Sequence, residues 1–302
     1  MAKATREAYG EALKKLAKEN PNVVVLDADL SGSTKTAEFK KVCPERFFNV
    51  GIAEQNLIGT AAGMAVAGKI PFASSFAMFA AGRAFEIIRN SVAYPKLNVK
   101  IAATHAGLTV GEDGASHQAI EDISLMRSIP NMTVINPADC IEAEQAVIKA
   151  AEFFGPVYIR LGRAGVENIY DENYKFEIGK GVELKKGDDI TIIATGLMVQ
   201  KSLKAAEELS QEGISVRVIN IHTIKPIDKE IIIKAAKETK AIVTAEEHSI
   251  IGGLGSAVLE VLSDECPTLV KRIGVNDTFG ESGKPDDLLE KYGLTENHIK
   301  EA

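Results

Sequence analysis

The feature that most constrains this chain is a series of short, largely apolar runs set between longer helical stretches. Val23–Leu26, Pro71–Ser75, Val99–Thr104, Met132–Asn136 and Val157–Leu161 are such runs. A strand without regular polar alternation is one buried on both faces, which is the condition of a parallel sheet covered by helices. Residues 5–19 supply the contrasting pattern, with Ala8, Ala12, Leu13, Leu16 and Ala17 on one helical stripe and Pro21 ending it. Further helical stretches near 54–67, 82–93 and 139–153 separate several of the runs. The pattern predicts an α/β fold with a mostly parallel sheet.

Residues 165–188 break the rhythm, being polar, glycine-containing and short of helical period. It then restarts: strands at Ile190–Thr195, Ser215–Ile221, Ala241–Ala245 and Leu269–Ile273, helices at 198–212, 228–238 and 254–263. The expectation is two doubly wound domains, 1–170 and 189–302, joined by a linker at 171–188. A length of 302 residues suits two domains.

Composition excludes several function classes. The 42 acidic residues outnumber the 35 basic ones, for a net charge of −7. That balance is wrong for non-specific nucleic-acid binding, which rests on neutralising phosphates. The charge is uneven: residues 1–180 carry net −1 and residues 181–302 net −6. The half nearer neutrality is the one expected to take an anionic ligand. Three scattered cysteines make no disulfide framework, and no apolar run approaches the length of a membrane span. With no apolar leader-like stretch at residues 1–20, a soluble, cytoplasmic protein that binds neither nucleic acid nor membrane is expected.

Two windows carry candidate chemistry. The first, THAGLTVGEDGASHQAIED, directly follows the run Val99–Thr104 and holds His105, Glu112, Asp113 and His117 among three glycines. Ligands of open parallel sheets bind beyond the carboxyl ends of the strands, which is where this loop must lie. A metal and a hydrogen-bonded sugar are both compatible with such a loop; the irregular spacing favours the sugar. The second window, FFNVGIAEQNLIGTAAGMAVAG, puts Glu54 at the start of a helix built from Gly59, Ala61, Ala62, Gly63, Ala65 and Ala67. So little side-chain bulk lets another backbone approach closely. Glu54 is then either a desolvated carboxyl, for which burial favours the neutral form, or an ordinary first-turn acid favoured by the helix dipole. The run GGLGSA at 252–257 opens a helix but lacks the spacing and lysine of a phosphate loop, so a packing turn is expected. The acidic DDLLEKYG segment reads as a solvated face.

Taken together, NVGIAEQN, SFAMFAAGR, ATHAGLTVGEDGASHQAIED, INPAD and TFGESG resemble the C-terminal half of a transketolase: a pyrimidine-binding domain of a thiamine diphosphate enzyme, then the transketolase C-terminal domain. The family's diphosphate and magnesium signature, GDG followed some thirty residues later by Asn, is missing, and GEDG at 111–114 is not it. The resemblance therefore implies one subunit of a split transketolase. Its partner would be an N-terminal subunit carrying the diphosphate and Mg2+ site, in a heterotetramer of two of each.

The resemblance also implies roles. Glu54 is the glutamate that shares a proton with the cofactor's pyrimidine ring, with Phe76 and Phe79 as its stacking aromatics and Asp29 as a further cofactor residue. Spacing alone would equally place both phenylalanines in the core. A third aromatic, one turn later, is replaced by Gly82. His105 and His117 match the histidines at the donor's carbonyl and C1 hydroxyl, and Asp113 the acid that reads a sugar hydroxyl. Arg6, Ser33 and Arg163 match the residues that hold a sugar's terminal phosphate, for which a planar guanidinium is well suited. The activity implied is transfer of a two-carbon ketol unit from a ketose phosphate to an aldose phosphate in the pentose phosphate pathway. Half of a deoxyxylulose-phosphate synthase and the β chain of a 2-oxo acid dehydrogenase remain alternatives. The synthases carry Asp-Arg where this chain has Thr104-His105. A non-catalytic doubly wound scaffold is a third, one that would need none of Glu54, His105, Asp113 or His117.

Overall fold

The computed structural model describes residues 2–302. Its first unit holds strands β1 (Lys3–Ala4), β2 (Val23–Asp27), β3 (Phe47–Asn49), β4 (Ile70–Phe76), β5 (Lys100–Thr104), β6 (Thr133–Ile135), β7 (Val157–Arg160) and β8 (Gly165–Val166). Its helices are α1 (Thr5–Glu19), α2 (Ser31–Thr34), α3 (Ala37–Val42), α4 (Glu54–Val66), α5 (Phe85–Ile87), α6 (Asp122–Ser128) and α7 (Cys140–Glu152). The second unit contributes β9 (Val182–Lys185), β10 (Ile190–Ala194), β11 (Val216–Asn220), β12 (Thr223–Lys225), β13 (Ala241–Ser249) and β14 (Val270–Val275). Around them lie α8 (Met198–Gln211), α9 (Lys229–Glu238), α10 (Leu254–Glu265), α11 (Pro285–Lys291) and α12 (Glu296–Glu301).

The large sheet runs β12-β6-β7-β5-β4-β2-β3, parallel throughout except for β12. Alternate residues of β2 show why its apolar runs are continuous. Val24 and Leu26 pack under α4 and α6, while Val23 and Val25 pack under α1 and α7. The second sheet, β14-β13-β10-β11-β9, is parallel but for β9 and is likewise covered on both faces. The expected pair of doubly wound α/β units is therefore present. No helix among the described residues is long and apolar enough to cross a membrane.

Two expectations need correction. The stretch 171–188 is not a free linker. Its Phe176 is buried in the first core with Tyr174 and Ile178 against it, and Val182–Lys185 pairs with β11 as an edge strand. The segment 82–93 is not a plain helix, because π-helical turns at Met78–Arg83 and Ile88–Ala93 flank the short α5. The DDLLEKYG helix keeps Asp286, Asp287 and Glu290 exposed as a solvated face, while Leu288 and Leu289 are buried on its other side and Pro285 meets Gly111 of the site loop. One pairing has no local signal at all: β12 crosses from the second unit to cap the edge of the first sheet. The GGLGSA turn behaves as expected. It places the Leu254 and Gly255 amides on the buried Glu246 carboxylate, at 2.6 and 2.8 Å, so the start of α10 is satisfied from within.

A polar seam joins the units. Glu142, fully buried in α7, accepts from the Ala138 amide (2.6 Å), the Tyr174 hydroxyl (2.7 Å) and Asn220 of β11 (2.9 and 3.0 Å). Burial pushes this carboxyl from 4.5 up to about 7, against those hydrogen bonds. The folded chain then holds a proton that the unfolded chain has lost. Stability from this group is present below about 4.5 and is lost as pH rises through about 7. Glu142→Gln, which cannot ionise, should show a smaller fall in melting temperature between pH 5 and pH 8 than the native chain. Equal falls would show that Glu142 does not titrate there.

Candidate active site

The parallel order of β2, β3, β4, β5 and β7 brings their carboxyl ends to one edge, and every candidate side chain except Arg6 follows such an end. Asp29 and Ser33 follow β2, Glu54 follows β3, Phe76 and Phe79 close β4, His105 follows β5, and Arg163 follows β7. Arg6 arrives differently. The two-residue strands β1 and β8 pair antiparallel, and Thr5 Oγ1 accepts from the Gly162 amide at 2.8 Å. This stitch sets the first turn of α1 beside the end of β7 and so brings Arg6 near Arg163.

The contacts form a continuous chain. Arg6 Nη1 donates to the Ser33 carbonyl at 2.8 Å and contacts His105 Nε2 at 3.1 Å. The His105 ring stacks on Phe76 with centroids 3.9 Å apart, and Phe76 stacks on Phe79 at 6.1 Å. His117, half-buried, meets Phe79 edge-on at 5.3 Å, with its Nδ1 3.0 Å from Ser116 Oγ. The Arg83 guanidinium lies over Phe79, 4.5 Å from the ring centre, and Nη1 donates to Glu54 Oε2 at 3.2 Å. Ser75 Oγ donates to Glu54 Oε1 at 3.4 Å.

Glu54 is 3% exposed while Arg83 is 55% exposed, so the carboxylate sits at the back of a cleft and the arginine at its mouth. That open cleft of ≈ 430 Å³ is lined by Ile52, Ala53, Glu54, Gln55, Asn56 and Arg83. Beyond it, Gly59 and Gly63 of α4 face open space. Arg163 donates to the Val110 carbonyl and pairs with Asp113 at 3.7 Å. Asp29 stands on the same edge, but its hydrogen bonds go to Asn49 at 2.9 and 3.1 Å rather than to the aromatic group.

These positions decide what the groups can do. A buried carboxylate next to the half-buried Phe79, whose ring Arg83 now covers, fits a flat, nitrogen-bearing ring that both stacks and takes a hydrogen bond once that guanidinium moves aside. Arg6, whose buried Nε has no partner among the described residues, fits an anion. No cluster of three or more His, Cys, Asp or Glu suited to a metal occurs among the described residues. Arg83 is the residue that sequence reasoning missed; its spacing of four from Phe79 in SFAMFAAGR was the available signal.

His105 has a defined electrical state. Burial first, then Arg6, Arg163, His117 and Lys35, lower it to about 3. Arg6 can only donate, so Nε2 accepts, and Nδ1 carries the proton toward Thr104 Oγ1 at 2.9 Å. Nitrogen-15 NMR of the ring should report the neutral Nδ1–H form at every pH above about 4. A titration midpoint near 6.5 would show that the arginines do not confine it.

With that geometry in place, comparison with known proteins is direct. The transketolase pyrimidine-binding domain model matches residues 1–167, and the transketolase C-terminal domain model matches residues 179–299. A candidate transketolase C-terminal section of Methanocaldococcus jannaschii is 59% identical over 295 residues, 97% of this chain and 92% of that one. A 6-deoxy-6-sulfo-D-fructose transketolase subunit, SqwH of a Clostridium species, is 46% identical over 98% of this chain and 92% of its own. A solved structure described as a split-gene transketolase, an inactive β4 tetramer, superposes with a TM-score of 0.93 at 62% identity, covering 99% of this chain and 96% of that one. Human transketolase is 40% identical over 99% of this chain, which spans 48% of that protein. The chain belongs to the transketolase family of thiamine diphosphate-dependent transferases.

Proposed function

We propose that this chain is the pyrimidine-side subunit of a split transketolase, active when an N-terminal subunit supplies the diphosphate and Mg2+ site. The observation that carries this reading is the buried Glu54 carboxylate, set in an open cleft beside Phe79 on a helix whose small-residue face is uncovered. A cleft so open is half of a site. The related split-gene structure is described as an inactive tetramer of one chain type, which supports activity residing in a complex with a different chain, two of each.

Bound thiamine diphosphate supplies the electron sink that lets a ketose C2–C3 bond break. The chain's own residues do the rest. Phe76 and Phe79 seat the ring, and Glu54 Oε2 holds a proton shared with the ring nitrogen, exchanging its bond from Arg83. Asp29 lies at the edge of that seat. His117, its Nδ1 taken by Ser116, offers Nε2 to a donor hydroxyl beside the phenyl faces. Asp113, paired with Arg163, reads a sugar hydroxyl. Arg6 and Arg163 take the terminal anion near Ser33. His105, neutral and engaged at both nitrogens, belongs to that anion end and reaches the donor only by releasing Arg6.

The single chain with magnesium and thiamine diphosphate should show no turnover, and the complex with its N-terminal partner should transfer the ketol unit. In that complex Glu54→Gln keeps the side chain's size but not its proton chemistry. It should lower kcat by about 10²–10⁴, with melting temperature and cofactor affinity much less affected. Near-normal kcat with a lowered melting temperature would make Glu54 a helix-terminus charge only.

The terminal anion has two readings, phosphate or sulfonate, the second favoured by the sulfofructose relative. Phosphate ketoses would place the enzyme in pentose phosphate exchange. Arg6→Ala and Arg163→Ala should raise KM for ketoses bearing the preferred anion by about 10- to 150-fold, the worth of a hydrogen bond to a charged group. KM for ketoses with no terminal anion should barely move. Equal losses on charged and uncharged substrates would remove both arginines from the anion site, and the native preference between phosphate and sulfonate decides the reading.

A further inference from the structure

The loop that carries Asp113 and His117 is gripped from the second unit. Leu108 is buried in the second unit's core, alongside Met198, Val199 and Val275. Gln118 Nε2 donates to the Glu281 carbonyl at 2.9 Å, tying the loop's far end to the segment before α11. At the loop's near end stands Glu247 of β13, whose Oε1 accepts from the Thr109 amide at 2.7 Å. The loop lies so close to this carboxylate at Gly107 that any Cβ there would collide with it, and φ at Gly107 is +84°.

Glu247 is itself fixed. Its carbonyl accepts from Arg160 Nη2 at 3.0 Å, and Arg160 Nε pairs with the buried Asp122 at 2.9 Å. The carboxylate is thus a rigid anchor delivered by a different unit to the backbone between His105 and Asp113. A loop amide bonded to an oxygen that another unit delivers at a fixed reach keeps its place better than one left to local turns.

We propose that Glu247 is a positioning residue for ketol transfer: its carboxylate oxygen fixes the Thr109 backbone and thereby the placing of Asp113 and His117 against the donor. This rests on the function proposed above. It gives the second unit a part in the reaction although none of its side chains reaches the cleft of Glu54.

The test uses the complex with the N-terminal subunit and compares Glu247→Gln, Glu247→Asp and Glu247→Ala. Gln keeps an acceptor at the same reach without charge, and Asp keeps charge but withdraws the oxygen by one methylene. If reach is what matters, the Gln variant should stay within about threefold of native kcat/KM. The Asp and Ala variants should lose about 10²-fold, the scale of a small misplacement of reacting groups. Hydrogen exchange at Thr109 should speed by about 10-fold or more in Asp and Ala alone. Thiamine diphosphate affinity, measured by calorimetry, should stay level, since Glu54, Phe76 and Phe79 lie on other strand ends. Should the Ala variant not fold, the order of Gln and Asp decides.

Asp matching or exceeding Gln, unchanged Thr109 exchange, or cofactor affinity falling in step with kcat/KM would each overturn the assignment. A native complex without ketol transfer would sink the functional reading instead. The Thr109 exchange would still report whether Glu247 holds the loop.

Discussion

The arrangement depends on one buried ion pair. Arg160, at the end of β7, donates through Nε to both oxygens of Asp122 at 3.1 and 2.9 Å, and Tyr158 adds its hydroxyl at 2.7 Å. Its Nη2 reaches the carbonyls of Ala119 and Glu247. Four segments meet on one guanidinium: β7, the end of the site loop, the start of α6, and β13 of the second unit. Burial lowers the arginine's tendency to stay charged, and Asp122 with Glu247 more than restores it. A pair so desolvated adds little net stability over a hydrophobic replacement, but removing one partner strands the other charge at a cost of about 3–5 kcal/mol. Its value is specificity, since only one relative placement of the units satisfies all of these acceptors.

The site's electrostatics follow from what surrounds it. Burial and then Arg163 weaken Arg6's hold on its charge, and a protonated imidazole beside them would add a third cation. His105 resolves this by staying neutral and accepting from Arg6, while Asp113 partly balances Arg163. The result is a modest surplus of positive charge at the end of β5 and β7, able to attract an anion without an internal repulsion that would unseat the loop. At the other end of the aromatic stack, Glu54 is the negative pole, with Arg83 across its mouth.

Backbone economy makes the cleft possible. In α4, Leu57, Ile58 and Ala61 are buried against the sheet while Gly59 and Gly63 face outward with nothing beyond them. The helix therefore holds the core with one face and leaves the other nearly flat. The π-helical turn that follows β4 carries Phe79 and Arg83, and such turns often mark functional places.

Much of this was legible in the sequence because it is local. Unbroken apolar runs mean strands buried twice over, so β2, β4, β5 and β7 and their parallel order could be read from residue types alone. Loops after such strands must lie on one edge, and GIAEQN and GEDGASHQ stand out there as candidates for chemistry. What tertiary structure decided is whatever rests on contacts between distant residues. That Arg6 meets Arg163 depends on the β1–β8 ribbon and the Thr5–Gly162 bond, 157 residues apart. That β12 closes the first sheet, that residues 182–185 are a strand, and that Glu247 holds Thr109 across 138 residues have no periodic signature, because hydrogen bonds between units leave the spacing of either partner free. The sequence by itself determined the layers, the edge and the candidate groups; the folded chain alone decided their mutual aim, since aim is set by the packing of one unit against the other.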